Sequence, residues 1–377
     1  MTHSSVRVVM LAVFIVGGAG RPLVAQTTAV VNAVDDDGVL PADAFSPAFL
    51  GMYRKIMRID RDITRYAQVY GVDPQLARAV CMFESGGNEN LTSGAGARGY
   101  FQVIPSTFRL MGVPTNIEAG IKYLSQLIAQ FGREDYAVAA YNGGPGRVAR
   151  EQPMPLESLQ YVLGVGYYRS VLKQHEPEVR RYAATLAVVQ TNKGDTWEDL
   201  SKRLHVDAID LRLFNPFINE ARLRSASRLI AYPTGRLDDM FETGADGRIA
   251  YRTRIGDNYI NLAFAFDVDV DRLREANELW RLQLLPANTM LTIPGADDDV
   301  QSAERRPEKP AVEAASLVSV PQPKAARQPS VHTVRRGDTL SELAERYGTT
   351  ASAIRSLNRM GRRTSIRIGE RLRIPAR

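Results

Sequence analysis

The sequence predicts a multidomain protein in which a mainly α domain precedes three small α+β modules, each folded strand–helix–helix–strand (βααβ). Three observations predict it. Apolar residues recur at helical spacing through the first half, a skeleton repeats three times in the second half, and a proline-rich stretch sets the last repeat apart.

Helical periodicity runs from about Ser46 to Ala183, which we take as one domain over 46–183. Leu76, Ala79, Val80 and Phe83 fall at i, i+3, i+4 and i+7, one face of a helix. Asp73-Pro74 is a start signal, with Asp as cap and Pro at the first helical position. Ile117, Ile121, Leu124 and Ile128 mark a second helix. The Gly-, Asn- and Ser-rich stretch between Glu84 and Gly99 reads as a loop.

The repeat is read from spacing alone. Gly194-Asp195-Thr196, Asn215 and Pro233 recur as Gly256-Asp257-Asn258, Asn277 and Pro294, and again as Gly337-Asp338-Thr339, Asn358 and Pro375. The Asp-to-Asn interval is 20 residues each time (215−195, 277−257, 358−338), and the Asn-to-Pro interval is 18, 17 and 17. The modules therefore occupy 185–234, 249–294 and 332–377. In the third, His332-Thr333-Val334 opens as a strand. Thr339 and Glu342 form a capping box for a helix bearing Leu340, Leu343, Ala344 and Tyr347, which Gly348 ends. A second helix holds Ala353, Ile354 and Leu357, and Leu372-Arg373-Ile374-Pro375 closes the unit.

Residues 295–331 are rich in Pro, Ala, Ser and charge and read as a linker. A flexible chain of that length reaches about 30–37 Å, and its prolines extend it further. Charge is uneven. Residues 332–377 carry eleven arginines and four acids, whereas 249–294 carry five arginines and six acids. A basic tethered module would concentrate the protein on an anionic wall; a solvated, solubilising surface is the other reading.

The chain has 377 residues, is 44% hydrophobic and 24% charged, and carries a formal net charge of +6, which suits an anionic partner. One cysteine, Cys81, rules out an intrachain disulfide and reads as a small core residue. His3, His175, His205 and His332 show no metal-ligand spacing, so we expect no metal and no cofactor. Arg7 and the apolar run Val8–Val16 read as an export signal over 1–25, with cleavage after Leu23-Val24-Ala25 and an unstructured leader over 26–45. The run is short for a membrane span. An uncleaved membrane anchor is the alternative. The expected location is the periplasm or cell envelope.

Four motifs follow in order along the helical domain. They are Glu84-Ser85; Gly96-Ala97-Arg98-Gly99-Tyr100-Phe101-Gln102 with Ile104-Pro105-Ser106-Thr107; Ala139-Ala140-Tyr141-Asn142-Gly143-Gly144-Pro145-Gly146; and Tyr161-Val162 with Val165 and Tyr167-Tyr168. Together, over about Asp73 to Tyr168, they resemble the goose-lysozyme-like (SLT) lytic transglycosylases of family 1. Asn116-Ile117-Glu118-Ala119-Gly120 with Tyr123-Leu124 is similar as well. The three repeats resemble LysM modules, which bind glycans containing N-acetylglucosamine. The combined order resembles the membrane-bound lytic murein transglycosylase D type. The sequence departs from the family pattern at Gly87, Glu89, Tyr100 and Phe101, and the second repeat has Asn258-Tyr259 where the others have Thr-Trp or Thr-Leu.

The resemblance implies a lysozyme-like catalytic domain that cleaves the MurNAc–GlcNAc bond of peptidoglycan glycan strands, with Glu84 as the catalytic acid and base. Glycosidic cleavage needs a protonated carboxyl group, so an apolar setting should raise its pKa. Met82, Phe83, Tyr100 and Phe101 are candidates for that setting. The matched motifs contain no second carboxylate. The resemblance implies that the substrate's N-acetyl group and muramyl 6-hydroxyl replace nucleophile and water, leaving a 1,6-anhydro end. It also implies substrate-binding roles. Ser85 would orient Glu84 or the acetamido group, Gln102 and Asn142 would hydrogen-bond sugar or the acid, Tyr161 would bond near the acid, and Tyr141 would stack on sugar or pack in the core. Gly96 and Gly99 would allow a tight turn near the glycan. Glu89 and Glu118 read as surface charges. A muramidase of the same fold and a non-catalytic wall-binding scaffold remain as alternatives. Nucleic acid is not an expected partner, because the basic tail lacks interleaved aromatics beyond Tyr347.

Overall fold

The computed structural model describes residues 40–150, 154–235, 241–243, 249–279 and 284–295. It also describes the backbone of short strands before residue 34 and, in the last module, 330–334, 340, 343, 347, 354, 355, 357, 358, 360 and 370–374. The chain divides into two compact units, 1–305 and 306–377.

The helical domain is built from α1 (Pro47–Ile56), α2 (Asp60–Tyr70), α3 (Pro74–Ser85), α4 (Pro105–Met111), α5 (Asn116–Phe131), α6 (Glu134–Gly143), α7 (Pro145–Arg150) and α8 (Leu156–Thr185). Side chains of Ser46, Asp73 and Thr115 accept backbone N–H groups at the starts of α1, α3 and α5, satisfying donors that the helix cannot. The α3 stripe behaves as its spacing predicts: Leu76, Ala79 and Val80 are buried, and Phe83 packs half-buried beside them. Cys81 is a buried free thiol in the same core. The long α8 bends at His175, two residues before Pro177, whose ring removes a ladder hydrogen bond.

The leader is more ordered than its composition predicts. Thr27–Ala33 pairs antiparallel with Val6–Ala12, and Ala42–Ala44 forms a short 3-10 turn. Leu40, Ala44 and Phe45 are buried in the main core. Phe45 sits edge-on to His175 at 5.9 Å and bridges to Ile255 of the second repeat. The apolar gain of burying Leu40, Ala44 and Phe45 fixes the end of the stretch that the sequence had suggested was unstructured.

The repeats show why their skeleton is fixed. In the first, Ala187–Gln190 pairs with Leu229–Tyr232 around α9 (Trp197–Leu204), α10 (Ala208–Phe214) and α11 (Glu220–Ser225). In the second, Ile249–Arg252 pairs with Met290–Ile293 around α12 (Tyr259–Phe266) and α13 (Val270–Ala276), and Phe241–Thr243 adds a third strand. Asn215, Asn277 and Asn358 do the same work in all three copies. Each donates from Nδ2 to a carbonyl four residues back and to one on the closing strand, and each accepts that strand's N–H on Oδ1. One amide thus ties helix to strand, which a shorter or charged side chain could not do. The repeat aspartates Asp195 and Asp257 accept the N–H three residues earlier and close the turn before the helix.

The first two repeats do not hang free. Phe214, Ile255 and Ala287 belong to the helical domain's own core. Lys55 on α1 donates to Asn215 at 3.3 Å, and Tyr167 on α8 accepts the Gly256 N–H at 2.9 Å. The third repeat has its own core of Val334, Leu340, Leu343, Ile354, Met360, Leu372 and Ile374, with His332 Nδ1 2.8 Å from the Tyr347 hydroxyl. Its Thr339–Glu342 capping box, Ala344, Gly348 and Ala353 lie outside the described residues, as does most of the linker.

Candidate active site

The register of α3 places Glu84 at its last turn, where the apolar stripe ends and a groove begins. Tyr161 on α8 donates its hydroxyl to Glu84 Oε1 at 2.5 Å. Phe83 meets the Tyr161 ring edge-on at 5.3 Å. This approach depends on Gly164, where a Cβ would come within 2.2 Å of the Phe83 ring. Glu84 is half-buried, with its carboxyl group at the groove floor and dense protein behind it. Burial pushes its pKa up to about 7, while the Tyr161 hydroxyl pulls it down. The Tyr141 and Tyr161 phenols are raised in turn, first by burial and then by the Glu84 charge, so both remain donors at neutral pH.

The groove has a volume of about 490 Å³ and is open to solvent. Its walls include Leu91, Gln102, Ile104, Tyr123, Tyr141 and Asn142 from the helical domain. Past Asn142 and Glu157 it meets a second hollow of about 190 Å³, lined by Phe83 and Tyr161 and by Asn258, Tyr259 and Ile260 of the second repeat. The setting supplies what acid catalysis of glycosidic cleavage requires: one carboxyl group protonated near neutral pH, with polar donors around an elongated trough.

The structure brings Glu84, Gln102, Tyr141 and Asn142 to this groove, and Tyr161 to the floor beneath Glu84. The Gln102 amide is engaged by the loop, donating to Leu91 O at 3.1 Å and Gly99 O at 2.8 Å. Tyr141 donates to Phe101 O at 2.8 Å and packs on Tyr123, so it serves both core and groove. Asn142 is exposed.

Ser85 and Gly99 are placed elsewhere. Ser85 is fully buried, donating to Tyr100 O at 2.8 Å and accepting the Gly87 N–H at 3.2 Å; it anchors the turn after Glu84 and does not face the groove. Gly99 is also buried, below the loop. Of the side chains expected to supply an apolar setting, Met82 and Phe101 are fully buried in the core, while Phe83 packs on the Tyr161 ring that bonds Glu84. Glu89 is exposed; Glu118 is half-buried and accepts the Tyr70 hydroxyl at 2.8 Å. Among the described residues no three His, Cys, Asp or Glu are grouped to hold a metal.

Sequence reasoning missed Tyr123, Glu157, Phe217 and Arg222, all of which line the groove. Phe217 and Arg222 belong to the first repeat, in the interval that is one residue longer than in its sister copies. That extra residue is the signal that could have drawn attention to them.

The family model for the transglycosylase SLT domain matches residues 62–155, and that for the LysM domain matches 251–294 and 332–375. The first match lies within the helical domain and the others cover the second and third repeats; the first repeat shares with them the closing strand pair and the asparagine tie. Among relatives, membrane-bound lytic murein transglycosylase D of Escherichia coli is 24% identical over 330 residues, covering 73% of this chain and 67% of that protein. A transglycosylase of Enterobacteria phage PRD1 is 40% identical over 81 residues, covering 20% of this chain and 31% of that one. The soluble lytic murein transglycosylase of Salmonella typhimurium is 34% identical over 102 residues, covering 22% and 16%. The solved lytic transglycosylase Slt of Pseudomonas aeruginosa is 28% identical over 31% of this chain and 24% of its own, with a TM-score of 0.27.

Proposed function

We infer that this chain, which carries a transglycosylase SLT domain and two LysM domains, is a peptidoglycan lytic transglycosylase with Glu84 as its acid and base. The observation that carries the reading is the Glu84 carboxyl group, buried beside Tyr161 at the floor of an open groove and raised to about 7. Such a group holds a proton at neutral pH and can give it to a leaving glycosidic oxygen; general acid catalysis of this kind contributes about 10²–10⁴-fold. As oxocarbenium character develops, the substrate's own N-acetyl group stabilises the anomeric carbon. Glu84, now ionised, accepts the proton of the muramyl 6-hydroxyl as that oxygen closes on the carbon. Atoms balance without water, and the product is a 1,6-anhydromuramyl end.

Glu157 favours a second reading. It is a further carboxylate in the groove wall, as a hydrolytic muramidase would need. Its side chain is 74% exposed and lies 3.7 Å from Arg147, a setting suited to a surface ion pair more than to an aimed base. The LysM modules are proposed to hold N-acetylglucosamine-containing glycan. We place the protein in the cell envelope, with residues 1–25 acting as an export signal. Among the described residues no helix is long and apolar enough to cross a membrane.

The test is digestion of purified sacculi by the full chain, beside Glu84→Gln and Glu157→Gln, with mass spectrometry of released muropeptides. We expect products one water lighter than hydrolytic ones, resistant to borohydride, lost with Glu84→Gln and kept with Glu157→Gln. Reducible full-mass ends that vanish with Glu157→Gln would establish the muramidase instead. Sacculus binding without release would leave a wall-binding protein.

A further inference from the structure

One corner of the groove does not come from the SLT domain. Phe217 and Arg222, on the segment between α10 and the returning strand of the first repeat, stand in the wall above Glu84. Phe217 adopts φ +70°, a left-handed backbone that is strained for a bulky residue and persists only where the surroundings impose it. Its ring covers Gly86, two residues after Glu84, where a Cβ would lie 3.0 Å from Phe217 Cδ2. On its other side it packs against Phe264 of the second repeat at 5.8 Å. The Phe217 carbonyl, turned by this backbone, accepts Arg222 Nη1 at 2.6 Å. The strained residue thus aims the guanidinium.

Arg222 is a half-buried cation with no counterion among the described residues. It meets the Phe217 carbonyl and, at 5.9 Å, the face of Phe264; no described carboxylate lies within ion-pair distance. A second cation stands behind it. Arg228 donates from Nε to Arg222 O at 3.0 Å, and its own pKa is lowered, first by burial and then by the Arg222 charge. A half-buried guanidinium at a groove wall that no described carboxylate neutralises is completed by an anion arriving from outside. A guanidinium fork suits a carboxylate better than any other common anion of a glycan.

We propose that the Phe217–Arg222 corner is a subsite for the carboxylate carried on the side arm of a muramyl residue, so that the docked first repeat sets substrate preference in the catalytic groove. This rests on the transglycosylase reading above for the identity of the polymer. The sugar rings themselves are uncharged. The carboxylate comes either from the attached peptide stem or, where the stem has been removed, from the lactyl group.

The experiment measures kcat and KM of the full chain on three soluble strand preparations: with intact stems, stripped by an amidase to the lactyl carboxylate, and with all carboxylates converted to amides. Wild type should prefer a carboxylate-bearing strand over the amidated one by about tenfold in kcat/KM, mainly through KM, as a charge-assisted contact warrants. Preference for intact over stripped strands assigns the stem, and the reverse assigns the lactyl group. Arg222→Gln should reduce the preference to near unity, and Arg222→Lys should keep part of it. Equal losses by Arg222→Gln on all three strands would mark a structural role and overturn the proposal. If that variant does not fold, wild type alone decides, since unchanged KM on amidated strands overturns it equally. Wild type yielding no anhydro product on any strand would instead overturn the enzymatic reading.

Discussion

Asn258 of the second repeat donates from Nδ2 to the Tyr168 hydroxyl of α8 at 2.8 Å, and Asn261 reaches the same oxygen at 2.7 Å. The position where this repeat departs from its sisters, Asn for Thr, is therefore a docking contact. Its Oδ1 still caps α12 by accepting the Asn261 N–H, so one side chain keeps the helix start and adds the junction. The first repeat's equivalent turn at Gly194 is exposed, whereas Gly256 and Asp257 are buried against the helical domain. The repeats have thus diverged by what they touch. Two contribute walls and supports to the groove, and the third has a core of its own.

Tyr168→Phe removes the oxygen on which both asparagines converge. Leaving buried amide donors unpaired costs about 1–3 kcal/mol. Because repeat and helical domain share a core, the urea midpoint of a single transition should fall for the whole of 1–305. A separate early transition for the second repeat, with the main one unmoved, would show that the two do not fold together.

Glu84 burdens the fold when it ionises. Its folded pKa of about 7 lies above the ordinary 4.5, so the folded state holds the proton more tightly than the unfolded chain does. Stability attributed to this group is therefore complete below pH 4.5 and is lost as pH rises to about 7. Glu84→Gln does not titrate. The melting temperature of the variant relative to wild type should climb across that window and level off above it. A constant difference from pH 4 to pH 8 would contradict the raised pKa.

Tyr161→Phe keeps the ring that packs on Phe83 and deletes only the hydroxyl on Glu84. The hydroxyl favours the carboxylate, so its loss should move the alkaline limb of the pH–rate profile to higher pH. Turnover should fall about 10–100-fold, the range expected for a hydrogen bond to a charged group. A limb shifted to lower pH would mean that the hydroxyl acts on the protonated acid instead.

Helices and the repeat skeleton were legible because each follows from local chemistry, whereas Glu84 stood out only through the resemblance of its motif. The α3 stripe, the Asp73 cap and the fixed interval to Asn215, Asn277 and Asn358 all act over one or two turns or across one strand pair. What could not be read was long-range. Nothing local says that Phe217 would lie on Gly86, that Arg228 would reach the Asn90 carbonyl, or that Leu40 and Phe45 would enter the core. Ser85 shows the same limit. The resemblance implies that Ser85 orients Glu84 or the acetamido group, yet its hydroxyl donates to the Tyr100 carbonyl fifteen residues on.

Gly99 and Gly96 separate backbone strain from packing in the loop that frames the groove. Both have positive φ, +77° and +83°. Alanine at Gly96 would meet nothing within 4 Å, whereas alanine at Gly99 would place its Cβ 2.5 Å from Asn116 Cγ. Gly96→Ala should therefore lose about 1–2 kcal/mol, the left-handed penalty alone. Gly99→Ala should lose a further 1–3 kcal/mol, roughly, because Asn116 must move. Asn116 latches the loop by accepting the Phe101 N–H at 2.9 Å and donating to Arg98 O at 2.9 Å, and Phe101 O receives the Tyr141 hydroxyl. The disturbance should therefore pass from Gly99 through Asn116 and Phe101 to Tyr141. Turnover on sacculi should drop at least tenfold for Gly99→Ala, as expected for an ångström-scale misplacement near the acid, and much less for Gly96→Ala. Equal stability losses and equal turnover in the two variants would show that the latch does not carry the groove's shape.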